Sequence, residues 1–327
     1  MTAIWVIWAA VLVDLLIGDP RWLPHPVIGM GKAIRAIEKR ITARVRTPLG
    51  LKRAGILLPL IVAGGSFALV WLLLIWCAMI HPWLAIAVEI VLIATTIAIK
   101  GLRDAGLEVY RYLRDGSKEQ ARRSLSMIVG RDTEHLDEPE IVRGTVETVA
   151  ENIVDAVVSP LFYALIGGAP LAMAYRAVNT LDSMVGYKNE KYEHLGWASA
   201  RLDDAANWIP ARLTAGLLVL SAALFSLRWR EAIQMVRRDA RKHPSPNSGF
   251  PESAVAGALG IRLGGENSYQ ASPLSVLIWG SPFVGLRQEI FVKRQACCYP
   301  RRSCLHFLER LYSCWWLPWE VQDEAHP

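Results

Sequence analysis

The stretch Gly55 to Ile80, GILLPLIVAGGSFALVWLLLIWCAMI, runs for 26 residues without a charged side chain. At a rise of about 1.5 Å per residue, a helix of that length exceeds the roughly 30 Å hydrocarbon core of a bilayer, so it is expected to span. His81-Pro82 breaks the helix, and Trp83 to Ile99 follows with one acid, Glu89. The two runs read as a helical hairpin whose ends face one compartment, with Trp83 near an interface.

Working outward, two weaker runs carry breaks. Ala156 to Tyr175 is uncharged but interrupted by Pro160 and by Gly167-Gly168-Ala169-Pro170, while Trp208 to Leu227 contains Pro210 and Arg212. Both are expected to be broken or re-entrant helices. Ala3 to Ile17 is short, contains Asp14 and lacks the basic start and cleavage site of a secretory signal, so it reads as a retained tilted or interfacial helix. With 53% hydrophobic residues, 13 Trp and 20% charged residues in 327, the expected fold class is all-α: a polytopic helical integral membrane protein forming one helical unit over residues 1–269.

The net charge of +6 is placed beside these runs. Lys32, Arg35, Lys39, Arg40, Arg44, Arg46, Lys52 and Arg53 precede the first span, against Glu38; Arg228, Arg230, Arg237, Arg238, Arg241 and Lys242 follow Leu227, against Glu231 and Asp239. Such flanks mark the cytoplasmic side, so the polar segments are expected to face the cytoplasm from a multi-pass position in a bacterial inner membrane, with membrane lipid as a partner. No recognition helix, zinc finger or aromatic-basic platform accompanies the charge, which argues against nucleic acid. The five cysteines, Cys77 and the late group Cys297, Cys298, Cys304 and Cys314, have no zinc spacing.

Chemistry-bearing residues crowd into a few blocks. Gly18 to Val27, GDPRWLPHPV, is a proline-fixed turn from which Asp19 and His25 either project into a site or cap the chain. In ETVAENIVD, Glu147, Glu151 and Asp155 recur every fourth residue on one helix face. Such a stripe is either solvated or, since the helix runs into Ala156 and the apolar residues beyond, half-buried with Mg²⁺ or a basic partner. Met173 to Asn207 carries Asn179, Asp182, Lys188, Lys191, Arg201, Asp203, Asp204 and Asn207, either a solvated connector or the donors, cations and oxygen ligands for a phosphorylated substrate and a hard metal. HPSPNSG at His243 to Gly249 is followed by Glu252 and by AGALGIRLGGENSY, whose Gly257, Gly260, Gly264 and Gly265 permit close approach to a ligand. Neither a Walker A sequence nor a dinucleotide fingerprint is present.

Taken in order, GDPRWLPHPV, ETVAENIVDAVVSPLFY, GGAPLAMAYRAVNTLDSMVGYKNEKY, ARLDDAANWIPARL and HPSPNSGFPESAVAGALGIRLGGENSY resemble the membrane-bound CbiB/CobD family of cobalamin biosynthesis, the adenosylcobinamide-phosphate synthases. The likeness runs from about Leu15 to Tyr269. It implies ATP- and Mg²⁺-dependent amide ligation of the corrinoid adenosylcobyric acid to an amino alcohol phosphate, (R)-1-amino-2-propanol phosphate or aminopropanol itself, through an acyl phosphate. Other late membrane enzymes of the pathway are possible partners.

Within this resemblance Glu151, Asp155, Asp203 and Asp204 are expected to hold metal and nucleotide phosphates, with Lys191 and Arg201 also on phosphate. Asn179, Asp182 and Lys188 are expected near the reacting carboxylate. Asn207, Asn247, Glu252 and Asn267 are candidates for substrate amides, and His25 or Glu147 for taking the ammonium proton. After Tyr269 the pattern departs: Gln270 to Pro327 has no apolar run long enough to span and is expected to be a poorly ordered tail read in a shifted frame. The competing readings are a Mg²⁺-dependent membrane prenyl- or phosphotransferase and a non-catalytic scaffold.

Overall fold

The computed structural model describes residues 3–18, 25–269 and 272–279, with side chains as far as residue 265. The described residues fall into two compact units: residues up to 102 with 152–214 and 245–247, and residues 103–151 with 215–244 and the described residues from 248 onward.

The first unit is built from α1 (Ile4–Ile17), α2 (Pro26–Arg44), α3 (Pro48–Gly55), α4 (Leu57–Ile80), α5 (Pro82–Ala94), the start of α6 (Ile99–Arg114), a π-helical turn at Val154–Val158, α9 (Ser159–Val185), α10 (Trp197–Ala206) and the start of α11 (Trp208–Leu224). α4 packs along α9 and α5, and the core closes on Ile34, Leu58, Ile93, Leu181 and Leu195, all fully buried. The opposite face of α4 exposes Leu60, Leu69, Trp71, Leu72, Trp76 and Met79. A helix apolar all round needs an apolar surrounding on its free side, and lipid supplies it. The helical runs Pro48–Ile80, Pro82–Arg114 and Glu138–Val185 are long and apolar enough to cross a membrane, and α10 with α11 makes a further candidate bent by 42°. The protein is a polytopic helical membrane protein.

Local chemistry fixes where these helices start and break. Asp14, buried on apolar α1, accepts from the backbone N–H groups of Ile99 (2.9 Å) and Lys100 (3.2 Å), so it caps the start of α6. α9 breaks at Gly167-Gly168, where Gly168 has φ 65°, as the glycine pair and Pro170 led one to expect. The second bend falls at Asn207, three residues before the proline expected to cause it. Pro210 has no N–H to donate to Ala206 O, and Tyr163 Oη donates to that carbonyl instead at 2.9 Å, so the proline is accommodated in the first turn of α11.

In the second unit α7 (Lys118–Ser126) and α8 (Glu138–Ile153) lie with the rest of α6, and α12 (Trp229–Asp239) packs against α13 (Gly249–Leu259). A Cβ on Gly257 would lie 2.5 Å from Ala232 Cα, so this glycine serves helix packing where the sequence suggested ligand approach. Strand β1 (Leu263–Tyr269) pairs antiparallel with β2 (Ser272–Trp279). This hairpin departs from an otherwise helical fold among the described residues, and β2 falls within the segment expected to lack order. Asp19 of the proline-rich turn and residues 280–327 of the tail lie outside the described residues.

Candidate functional site

Asp155 sits in the π-helical turn between α8 and α9. An extra residue in the turn shifts the helix register, and such turns are frequent at functional sites. Ala156 O accepts from Ala98 N at 2.9 Å, which ties the turn to the start of α6.

Four side chains from distant parts of the sequence meet beside it. Asn207, at the α10–α11 bend and 2% exposed, accepts at Oδ1 from Ser159 Oγ (2.6 Å) and Tyr175 Oη (2.8 Å), and donates from Nδ2 to Asp203 Oδ2 (3.0 Å). Tyr175 Oη is also 3.4 Å from Asp155 Oδ1. Asn207 therefore clamps Asp203, with both ends of its amide engaged inside the protein; the substrate contact expected of it would have to displace these partners.

Asp203 has one oxygen held by that clamp, while Oδ1 is buried without a hydrogen-bond partner among the described residues. Of the bent pair, α11 supplies the apolar run from Trp208, while the part of α10 that carries Arg201, Asp203 and Asp204 is polar and is placed outside the apolar span. Burial, and then the negative charges of Asp155, Asp182 and Asp204, push the Asp203 carboxyl up to about 8. Such a group is short of positive charge.

That arrangement fits a divalent cation. Among the described residues no three acidic, histidine or cysteine side chains converge on one metal position, so the protein would contribute one or two carboxylates. This is the usual mode for Mg²⁺, whose other ligands are waters and substrate phosphates.

The other expected residues of this unit sit as follows. Asp182 adds to the field at Asp203, and Asn179 lies half-buried on the same helix. Asp204 pairs loosely with Arg201 at 3.5 Å, and its backbone carbonyl accepts from Asn247 Nδ2 at 2.9 Å. Lys191 is 2.8 Å from Glu38 on α2, whereas Lys188 is exposed. His25 is the N-cap of α2, its Nδ1 accepting from Val27 N at 3.3 Å, which is the structural role of the two weighed for it.

The second unit holds the remaining carboxylates. Glu147 is 2.9 Å from Arg131 Nη1 and 3.8 Å from Arg143 Nη1, and accepts from Gly264 N at 2.7 Å, while Arg143 also donates to Gly264 O. Glu151 accepts from Ser248 Oγ at 2.8 Å, and buried Glu252 lies 3.8 Å from His243 Nε2. The single acidic stripe expected over Glu147, Glu151 and Asp155 is thus divided, because the first two find partners in the second unit and the third lies in the π turn. The side chain of Asn267 lies outside the described residues. Sequence reasoning missed Ser159, Tyr163 and Tyr175. They stand in a run legible only as apolar, although Ser159 and Tyr163 on either side of Pro160, and Tyr175 at the end of the run, were the available signal.

A family described as CobD/Cbib protein matches residues 7–281. The chain belongs to this CobD/CbiB family. It is 50% identical over 277 residues to the cobalamin biosynthesis protein CobD of Geobacter metallireducens, covering 85% of this chain and 86% of that one. It is 53% identical over 268 residues to the CobD of Halalkalibacterium halodurans, covering 80% and 81%. Against the cobalamin biosynthesis protein CbiB of Salmonella paratyphi B the identity is 46% over 258 residues, covering 79% and 81%. No solved structure matches. Every side chain of the Asp155–Tyr175–Asn207–Asp203 arrangement lies inside the span matched by the family.

Proposed function

We propose that this CobD/CbiB protein acts in cobalamin biosynthesis as an ATP-dependent amide ligase, joining the free carboxylate of adenosylcobyric acid to the amine of (R)-1-amino-2-propanol phosphate. Membership of the family supports the pathway, and Asp203 carries the reading of the site: a half-buried carboxyl with an unpartnered oxygen, raised by burial and then by three neighbouring carboxylates. Bound Mg²⁺ would supply charge neutralisation for the phosphoryl group in flight. Asp203 and Asp155 would hold it, Asn207 and Tyr175 would keep Asp203 aimed, and Lys188 is the exposed cation nearest in sequence to Asp182 that could meet an incoming anion.

Amide formation by purified protein in native-like membranes tests the reading. Product is expected only when both substrates, ATP and Mg²⁺ are present; consumption of a lipid diphosphate would favour a transferase, and no turnover at all a scaffold. We place the polar segments on the cytoplasmic side of a bacterial inner membrane, since residues 31–53 and 228–242 carry the basic flanks. A cysteine at Asn189 should accept a label from the inside; labelling only from outside the cell would sink this placement.

We also read Gln270 to Pro327 as the product of a shifted frame. Gln270 and Ala271 are coded CAR and GCN, and starting at the third base gives RGC, which is glycine or serine. Sequencing the gene decides: the neighbouring frame must encode glycine there and a long apolar helix after it.

A further inference from the structure

The chain leaves α11 through a tight reversal. Ser226 has φ 57°, and Leu227 N donates to Ala222 O at 2.8 Å, which closes the last turn of the helix. Arg228 N then donates to Ala258 O at 3.3 Å, and Ala222, Ala232 and Ala258 share one small apolar cluster. The first turn of α12 is thereby fixed beside the end of α11. That end is apolar and open: Leu224 is 72% exposed, and Trp229, the first residue of α12, is 38% exposed. Because α11 belongs to a candidate span, α12 begins where lipid tails give way to headgroups.

The two faces of α12 differ in kind. Ala232, Met235 and Asp239 are buried, and Ala232 lies so close to α13 that a Cβ on Gly257 would stand 2.5 Å from its Cα. The apolar side of this amphipathic helix is therefore occupied by the protein and does not enter a bilayer. The opposite side carries Arg230, Gln234, Arg237 and, in the 3₁₀ turn Ala240–Lys242 that ends the helix, Arg241, at i, i+4, i+7 and i+11 and all exposed. Next to them Arg238 and Lys242 answer buried Asp239 at 2.6 and 2.8 Å. No ion pair holds Arg230, Arg237 or Arg241 among the described residues, and the Arg230 guanidinium stands 5.1 Å from the centre of the Trp229 ring.

Exposed arginines are at home in water, and by composition alone this stripe would be a solvated face. Its place beside a span and its regularity point further. A helix standing away from the bilayer would gain from basic residues only in its first turn, whereas these recur to the last one. We propose that the Arg230–Arg237–Arg241 stripe rests on anionic phospholipid headgroups, with α12 lying along the bilayer surface and Trp229 at headgroup level. The lipid is held through charge, since the apolar face of the helix is already packed on α13, and a membrane surface rich in anionic lipid supplies the complementary field. This contact depends on the membrane reading of the fold and not on the ligase chemistry, so turnover neither supports nor sinks it.

The test titrates the full chain, purified in a neutral detergent, with phosphatidylglycerol or phosphatidylcholine and counts the lipid retained by native mass spectrometry at low and high salt. Two triple variants are compared with the unaltered protein: Arg230→Gln, Arg237→Gln and Arg241→Gln together, and the same three positions changed to Lys. The unaltered protein should prefer phosphatidylglycerol, and salt should weaken that preference. One basic residue near an anionic surface strengthens binding about fivefold, so the glutamine variant should lose about 10-fold or more of the preference. The lysine variant should keep most of it, because the attraction is to charge and not to shape. All three proteins should unfold at the same temperature without added lipid, since the three side chains are exposed. An unchanged preference in the glutamine variant would put the lipid elsewhere and overturn the proposal. So would a lysine variant as weak as the glutamine one, which marks a shaped anion site, or an unaltered protein with no preference, which leaves a face for solvent or an acidic protein.

Discussion

Asp203 and Glu147 are both partly buried carboxylates in acid-rich sequence, and the two units treat them in opposite ways. Glu147 is met by Arg131, by Arg143 and by the backbone N–H of Gly264, so its charge is answered within the second unit. Asp203 is met by one amide donor from Asn207 and by the negative fields of Asp155, Asp182 and Asp204. A carboxylate compensated by its own fold is part of what holds that fold together. One surrounded by other carboxylates costs stability and persists where a ligand brings the missing charge. The contrast separates structure from chemistry more sharply than the spacing of the acids does.

The largest expected effect is on the compensated side. Glu147→Gln leaves two guanidiniums, one of them buried, facing a neutral amide, and loss of one partner from a buried ion pair costs about 3 to 5 kcal/mol. Thermal or denaturant unfolding should show that loss. Full stability combined with abolished amide formation would instead restore Glu147 to the catalytic role expected from sequence.

Asp203→Asn should do the reverse. The amide keeps the shape and the Asn207 contact but removes the charge proposed to hold Mg²⁺, so turnover should fall about 10²-fold or more while the unfolding temperature holds or rises. A near-normal rate with unchanged metal dependence removes Asp203 from the site.

A smaller effect belongs to the clamp. Asn207→Ala strips partners from Ser159 Oγ, Tyr175 Oη and Asp203 Oδ2 together, which should cost about 1 to 3 kcal/mol in stability. Because Asp203 then loses its aim, activity should fall as well, but through positioning. Retained stability would mean that water replaces the amide.

The sequence was most readable where one residue type decides the outcome. The uncharged run from Gly55 to Ile80 announced a span, and Gly167-Gly168 announced a break, because length and backbone freedom are local properties. The second bend was assigned to Pro210, since nothing local reveals that Tyr163, 43 residues from Ala206, satisfies the carbonyl a proline leaves free. Spacing suggested one stripe for Glu147, Glu151 and Asp155, yet the π turn and the distant partners Arg131 and Ser248 divided it. Between Asp203 and Asp204 the sequence offered no choice. Burial makes it, with Asp203 turned inward to Asn207 and Asp204 outward to Arg201.

The smallest expected effect tests whether a cation seen in a contact is a cation in use. Lys191 was expected on phosphate, but its Nζ lies 2.8 Å from Glu38 Oε1 and 2.7 Å from Tyr192 Oη, and Tyr192 Oη in turn donates to Glu38 at 3.1 Å. Hydrogen bonds to Glu38 and then Tyr192 hold the ammonium above its ordinary range, so it stays charged where it is. The pair fastens the segment after α9 to α2, yet Lys191 is 62% exposed, and solvent screens such contacts to under about 1 kcal/mol. Lys191→Ala should therefore change stability by no more than that and leave the KM for ATP unaltered. Lys188→Ala, at an exposed lysine for which the described residues show no ion pair, is the comparison. If Lys191→Ala raises the KM for ATP and Lys188→Ala does not, the lysine fastened to Glu38 lets go to meet phosphate, and the division between answered and unanswered charges fails at this position.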